Sequence, residues 1–177
     1  MNISLAIDTA TSRTIVGVIE DGRVLFESFH EGATEHGFAI TELVSKALEI
    51  CPSPDQVVVG MGPGPFTGLR VGITFAHTFA LAREIPVIGV CSLDAIKVQE
   101  SDYTVAIDAR RKEIYWASYK GGDRISGPAV SKPSEVANFI IDQYPDLQKL
   151  VLLSGSQNIT EPMYLRRPDA VPTAERT

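Results

Sequence analysis

VVVGMGPGPFTGLRVGITFAHTFALAR, residues 57–83, is the stretch whose reading decides the fold. Val57, Val58 and Val59 suit a buried strand, because β-branched residues fit a pleated environment that is apolar on both sides. Gly60, Gly62 and Gly64 permit tight or left-handed backbone, while Pro63 and Pro65 fix φ. Thr67 is placed to N-cap a helix over about 68–83. On a helical wheel Leu69, Ile73, Ala76 and Ala80 share one face, and Val71, Phe75, Phe79 and Ala82 an adjacent one. Arg70, Thr74 and His77 form the polar line, with Leu81 beside them. A surface helix ordinarily has a narrower apolar stripe. One sheet covers one of these faces, so the other requires a second helix or another subunit.

The glycine-rich turn is a poor phosphate loop. A Walker loop ends in Gly-Lys-Ser/Thr, and no lysine lies between Met61 and Arg83. The dinucleotide spacing G-x-G-x-x-G is missed because Thr67 holds the last position. Pro63 and Pro65 also remove two N–H donors that a phosphate cradle would use. The turn reads as built for shape, delivering the helix tightly onto a neighbour.

Before this stretch, 4–8 (SLAID) and 14–19 (TIVGVI) read as strands, Glu20-Asp21-Gly22 as a hairpin turn, and 23–29 as a third strand. A helix over 35–49 follows, with Thr34 as its cap and Phe38, Leu43, Ala47 and Ile50 among its apolar positions. After it, 86–90 (PVIGV) is a short buried strand, and Ser92 can cap a helix to about Val98. A second unit has strands at 104–108, 113–120 and from Arg124 onward. A helix over 133–144 and a strand over 150–153 complete it. Ala6-Ile7-Asp8 recurs as Ala106-Ile107-Asp108, with a partner strand and an acidic, glycine-containing turn at nearly the same distance behind. Such a repeat implies two related lobes, 1–100 and 101–177, each opening on a strand that ends in Asp. Duplicated lobes of this kind describe the actin-like ATPase (ribonuclease H-like) architecture, an α/β fold.

Composition bounds function. A net charge of −6 argues against nucleic-acid affinity through a broad basic face. No apolar run reaches the length of a membrane span, and the N-terminus lacks the pattern of a secretory leader. Cys51 and Cys91 are isolated and read as reduced thiols of a cytosolic protein. Asp8 and Asp108 stand where an actin-like enzyme places metal- or phosphate-facing acids, although an Asp at a strand exit is also a common turn residue. Thr9 and Thr11 can bond a phosphate or satisfy the turn. His30 and His36 are six residues apart, whereas paired zinc ligands on a helix lie three or four apart, so no metal site is expected. No Gly-x-Ser-x-Gly elbow is present, and no catalytic residue is assigned. Arg110-Arg111-Lys112 is the densest basic spot, a solvated turn or an RNA or phosphate contact.

These residues resemble the TsaB (YeaZ) family of tRNA threonylcarbamoyladenosine biosynthesis. The resemblance rests on Ala6-Ile-Asp-Thr-Ala-Thr11, Glu35-His36, and Gly62-Pro-Gly-Pro-Phe-Thr-Gly-Leu-Arg-Val-Gly72. It continues through Pro86-Val-Ile-Gly-Val90, Ala106-Ile-Asp-Ala-Arg110, Tyr115-Trp-Ala117 and Pro162-Met-Tyr-Leu-Arg166. It implies a non-catalytic scaffold subunit that pairs, through its first two helices, with a catalytic paralogue, TsaD, or with itself when alone. A P-loop ATPase, TsaE, joins that pair, and tRNA is reached only through the complex. The expected interface is His36, Phe66, Thr67, Leu69, Arg70, Ile73, Thr74, His77 and Leu81. No cofactor is expected on the chain alone; ATP or another adenine nucleotide belongs to the complex, with Asp8, Thr9, Thr11 and Asp108 as its candidate contacts. The competing expectation is an autonomous ATP-binding enzyme of the actin-like or kinase type using the same four residues. The family carries a longer, helix-containing segment before Pro-x-Tyr-Leu-Arg, whereas here only 154–161 separates Leu153 from Pro162. The second lobe is therefore expected to be abbreviated, which weakens any nucleotide or tRNA contact resting on that segment.

Overall fold

The computed structural model describes residues 2–166. Its first sheet contains β1 (Ile3–Asp8), β2 (Arg13–Glu20), β3 (Arg23–Glu31), β4 (Gln56–Gly60) and β5 (Val87–Val90), in the order β3-β2-β1-β4-β5. β1, β2 and β3 form an antiparallel meander, and β4 and β5 add in parallel on the other side of β1. The β2–β3 turn uses Asp21 and Gly22, both at positive φ (46° and 82°), the backbone that a tight hairpin demands. α1 (His36–Ile50) and α2 (Phe66–Arg83) cover one face of this sheet. Alternation along the strands settles the faces: Leu5, Ile7, Val57 and Val59 pack with α1 and α2, while Ala6, Ile15, Ile19 and Val58 face the opposite layer.

The second sheet repeats the opening of the first. β6 (Tyr103–Asp108), β7 (Ile114–Lys120) and β8 (Asp123–Ser131) form a meander, and β9 (Phe139–Ile140) adds in parallel beside β6, giving β8-β7-β6-β9. The Ala-Ile-Asp repeat is thus a repeat of topology, and this meander-plus-parallel order is the ribonuclease H-like arrangement in both lobes. The connecting segment after β5 fastens the sheets together. Cys91, Leu93 and Ile96 pack with Val105, Ile107, Tyr115 and Tyr119. Asp94, nearly buried, accepts hydrogen bonds from the Tyr119 hydroxyl (2.7 Å) and the Gln157 amide (2.8 Å), with Arg124 Nη1 3.5 Å away.

Several local expectations are corrected. Residues 133–144 form no α-helix, only a single 3-10 turn at Pro133–Glu135. Asn138 and Asp142 take positive φ (50° and 62°), and Phe139–Ile140 pairs with Thr104 and Val105 as the fourth strand. The expected strand at 150–153 belongs instead to α3 (Leu147–Leu153), capped by Asp146, whose Oδ1 accepts the Lys149 N–H (2.8 Å). Leu147 and Leu150 are fully buried against the far face of the first sheet, so α3, which follows the second sheet in sequence, covers the first. The helix expected after Ser92 is a single turn, with Ala95 N–H bonded to the Ser92 carbonyl. Neither Thr34 nor Thr67 caps a helix. Glu35 precedes α1, and α2 starts at Phe66 behind Pro65, whose φ of −58° is preset for a helix entry. Phe38 and Ile50, two of the apolar positions of α1, are exposed.

Candidate partner interface and interlobe cleft

The exit of β1 turns its polar groups inward. Asp8 is fully buried; Oδ1 accepts the Ala10 N–H (2.8 Å) and Oδ2 accepts the Ser92 hydroxyl (2.6 Å). Gly60 makes room for that carboxylate, since a Cβ there would overlap Asp8 Oδ2 and Ser92 Oγ. Ser92 Oγ in turn accepts the Gly62 N–H (3.2 Å), so Asp8 anchors the glycine-rich turn through Ser92. Burial lifts the Asp8 carboxyl from 3.8 to about 6, against the lowering effect of both hydrogen bonds. Thr9, also buried, donates to the Gly68 carbonyl (2.8 Å) and lies so close to α2 that a Cβ on Gly72 would strike its Oγ1. Thr11 accepts the Arg13 N–H (3.1 Å).

Thr11 and Asp108 come together across a cleft of about 300 Å³ between the lobes, also lined by Pro65, Arg110 and Tyr144. Asp8 and Thr9 do not line it. Asp108 is exposed and accepts the Arg110 N–H (2.8 Å). Arg110, Arg111 and Lys112 are all left-handed (φ 63°, 55° and 63°), a conformation costing about 1–2 kcal/mol for each L-residue. Across the cleft mouth Arg13 Cζ sits 3.5 Å from the centroid of Tyr144 and 4.2 Å from that of Phe29. Among the described residues no three His, Cys, Asp or Glu side chains gather as metal ligands.

The larger concavity lies on the outer face of the helix pair. A groove of about 590 Å³ runs between α1 and α2 and is lined by Gly37, Ile40 and Thr41 on one side. Phe66, Thr67, Arg70, Val71, Thr74, Phe75 and Thr78 line the other. Four expected interface residues, Phe66, Thr67, Arg70 and Thr74, therefore meet in one groove. His77 and Leu81 are exposed on α2 outside it, Leu81 at 81%. Leu69, Ile73 and His36 are corrected to interior positions. Leu69 and Ile73 are buried on the sheet side of α2, because three- and four-residue steps return to the same helix face. His36 is buried at the start of α1, its Nδ1 hydrogen-bonded to Thr14 Oγ1 (2.8 Å), and burial, then the nearby Arg110 guanidinium, lower its pKa. Gly37, Ile40 and Thr41 were not anticipated. Their i, i+3, i+4 spacing was available in the sequence, but nothing local says that α2 runs beside it. Val71 and Phe75 were anticipated as the second apolar face, and both are half-buried.

Fold and site together define an actin-like chain with a helix-pair groove on its outer face and the β1-exit acid buried. Residues 30–170 match the family described as TsaD: tRNA N6-adenosine threonylcarbamoyltransferase. The chain belongs to this family, in its TsaB (YeaZ) group. It is 37% identical to tRNA threonylcarbamoyladenosine biosynthesis protein TsaB of Escherichia coli over 126 residues, 66% of this chain and 54% of that one. An uncharacterized protein of Mycobacterium tuberculosis is 40% identical over 199 residues, covering 96% of this chain and 94% of the relative. That alignment is longer than the 177-residue chain, so the relative carries residues that this one lacks. The chain spans about half the length of the E. coli TsaB, and 40% of a related Mycobacterium leprae protein. In fold it matches a Pseudomonas aeruginosa crystal structure described as similar to peptidase YeaZ, with a TM-score of 0.80 at 23% identity over 94% of this chain and all of that one.

Proposed function

We propose that this chain is a non-catalytic scaffold subunit in the threonylcarbamoyladenosine modification of tRNA. Its α1–α2 face pairs with the equivalent face of a TsaD-like catalytic paralogue, and a TsaE-like P-loop ATPase joins the pair. The paralogue transfers the threonylcarbamoyl group to the adenosine next to the anticodon. Without that partner the same face pairs two copies of this chain. The work is cytoplasmic, and no helix among the described residues is long and apolar enough to cross a membrane.

The observation that carries this reading is the groove itself. Phe66 is 43% exposed at its mouth, and Val71 and Phe75 are half-buried along it, which is unfinished packing on a helix otherwise seated in the core. Removing such apolar area from water yields about 25 cal/mol per Å², so a complementary helix pair has much to gain here. The β1 exit supports the same division of labour, because Asp8 and Thr9 direct their polar atoms to Ala10, Ser92 and Gly68 rather than to the interlobe cleft.

The test is co-purification of tagged paralogue with the double variant Thr74→Glu, His77→Glu. Two unpaired carboxylates in a closing interface cost several kcal/mol, so the complex should be lost while the isolated variant keeps its thermal unfolding midpoint. Retention of the complex by a folded variant would show that the pairing face lies elsewhere.

A further inference from the structure

After α3 the chain returns along the outer edge of the first sheet towards the start of α2. Gln157 joins this segment to the connection between the sheets, accepting the Cys91 N–H (3.0 Å) and donating to Asp94. The Ile159 N–H then bonds the Gly89 carbonyl (2.8 Å), an approach open to glycine because a Cβ at 89 would overlap the Ile159 carbonyl. Further on, the Met163 N–H bonds the Met61 carbonyl (2.8 Å) next to the glycine-rich turn. Arg166 fastens the segment to the second lobe by pairing with Glu113, just before β7. Met163 and Leu165 pack into the second core, whereas Tyr164 between them points away from it. Tyr164 is 39% exposed, and its ring meets that of Phe66 with centroids 4.7 Å apart and planes tilted by 45°.

We infer that Tyr164 is a positioning residue of the pairing groove, holding the Phe66 ring at the groove mouth from outside the two helices. A helical side chain leans over the turn that precedes it. Phe66 is the first residue of α2 and has no such turn beneath it, yet it lines the groove and is 43% exposed. Arg70 Cζ, one turn on, lies 5.1 Å from its ring centroid. Tyr164 is the stiffer contact, because its backbone is fastened on both sides, at Met163 and at Arg166. The tilted arrangement is a favourable one for two rings, whose centroids typically lie about 4.5–7 Å apart. A ring held in this way need not be ordered when a partner closes over it, and ordering side chains is a cost that association otherwise carries. Tyr164 does not itself line the groove, so it acts through Phe66. The Pro162–Arg166 motif thereby links the second lobe, through Glu113, to the pairing face of the first. The inference rests on the pairing role proposed above.

The test is a double-mutant cycle, read by titrating the full chain with the tagged TsaD-like paralogue. Tyr164→Leu should weaken pairing about three- to tenfold, the range that an aromatic pair is worth. Tyr164→Phe keeps the ring and should pair like the parent. Phe66→Leu retains an apolar side chain at the groove mouth, and in that background Tyr164→Leu should have no further effect. A merely structural role predicts the same loss in both backgrounds. A second readout needs no partner. With 4-fluorophenylalanine at position 66 of the isolated chain, Tyr164→Leu should move the fluorine resonance towards its position in the unfolded chain, and Tyr164→Phe should leave it near the parent's. Three results would overturn the inference: pairing unchanged by Tyr164→Leu, an equal loss in both backgrounds, or a fluorine resonance that does not respond to Tyr164→Leu. Absence of any complex with the parent chain would overturn the pairing reading instead, and the fluorine measurement alone then decides whether Tyr164 holds Phe66.

Discussion

Replacing Asp8 by Asn should stabilise the protein at neutral pH, and only there. The carboxyl is fully buried and lifted from 3.8 to about 6, so the fold disfavours its ionised form. In the unfolded chain it ionises near 4. Above about pH 6 both states are ionised and the folded state carries the whole penalty, about 3 kcal/mol at roughly 1.4 kcal/mol per decade. As pH falls from 6 towards 4 the folded protein takes up a proton that the unfolded chain does not yet bind, and the penalty is progressively relieved. Asparagine removes the charge and keeps an oxygen for the Ala10 N–H, but its amide must donate to Ser92, leaving that hydroxyl to find another acceptor at a cost of about 1 kcal/mol. The variant should therefore be about 2 kcal/mol more stable than the parent at pH 7.5, and this advantage should vanish near pH 4.5. Urea denaturation of both proteins at the two pH values measures it. Taking the difference between variant and parent matters, because His36 acts in the opposite sense. Its pKa is lowered in the fold, so its contribution is complete above about 6.5 and declines as pH falls. Equal destabilisation by Asp8→Asn at both pH values would refute the reasoning, because it would mean that folding leaves the carboxyl pKa unshifted.

Two further substitutions test the fastening of the structure. Gly72→Ala places a methyl group on Thr9 Oγ1 and should cost about 1–3 kcal/mol by urea denaturation. Adding Thr9→Ala clears the overlap, so the double variant should lose less than the two single losses combined. Asp94→Ala strips partners from the Tyr119 hydroxyl, the Gln157 amide and Arg124, and should cost about 3–5 kcal/mol. A loss below about 1 kcal/mol would show that the segment between the sheets is held by apolar packing alone.

The first sheet was legible because its signals are local. Three valines before a glycine-rich turn, Asp21-Gly22 between alternating strands, and the Ala-Ile-Asp repeat each commit the backbone within a few residues. The segment from 133 to 153 was not. Its apolar runs, Val136 to Ile141 and Leu150 to Leu153, are too short for periodicity to separate strand from buried helix. Tertiary demand decided both: β6 lacked a parallel neighbour, which Phe139–Ile140 supplies, and the first sheet had a bare face, which Leu147 and Leu150 cover. The groove was half legible. The α2 residues followed from the helical wheel, but which of them are interior, as Leu69 and Ile73 are, depends on where the sheet lies. Asp8 was seen as an acid at a strand exit, while its partner Ser92 lies 84 residues away and the space for both depends on Gly60. No local pattern contains that information.

The buried acid and the open groove are connected. Asp8 holds Ser92, Ser92 holds Gly62, and Thr9 holds Gly68, so the polar groups at the exit of β1 fix the entry angle of α2. With that angle fixed, Leu69, Ile73, Ala76 and Ala80 are drawn fully onto the sheet, and the helix cannot roll to hide Val71 and Phe75 as well. The apolar area left in the groove is then a consequence of the anchoring. Polar groups that could have faced a nucleotide are used to present a helix, and the unfilled packing capacity of the first lobe lies on its outer surface. A partner that fills the groove need not reorganise α2 to do so, which is the condition for an interface to convert most of its buried area into affinity.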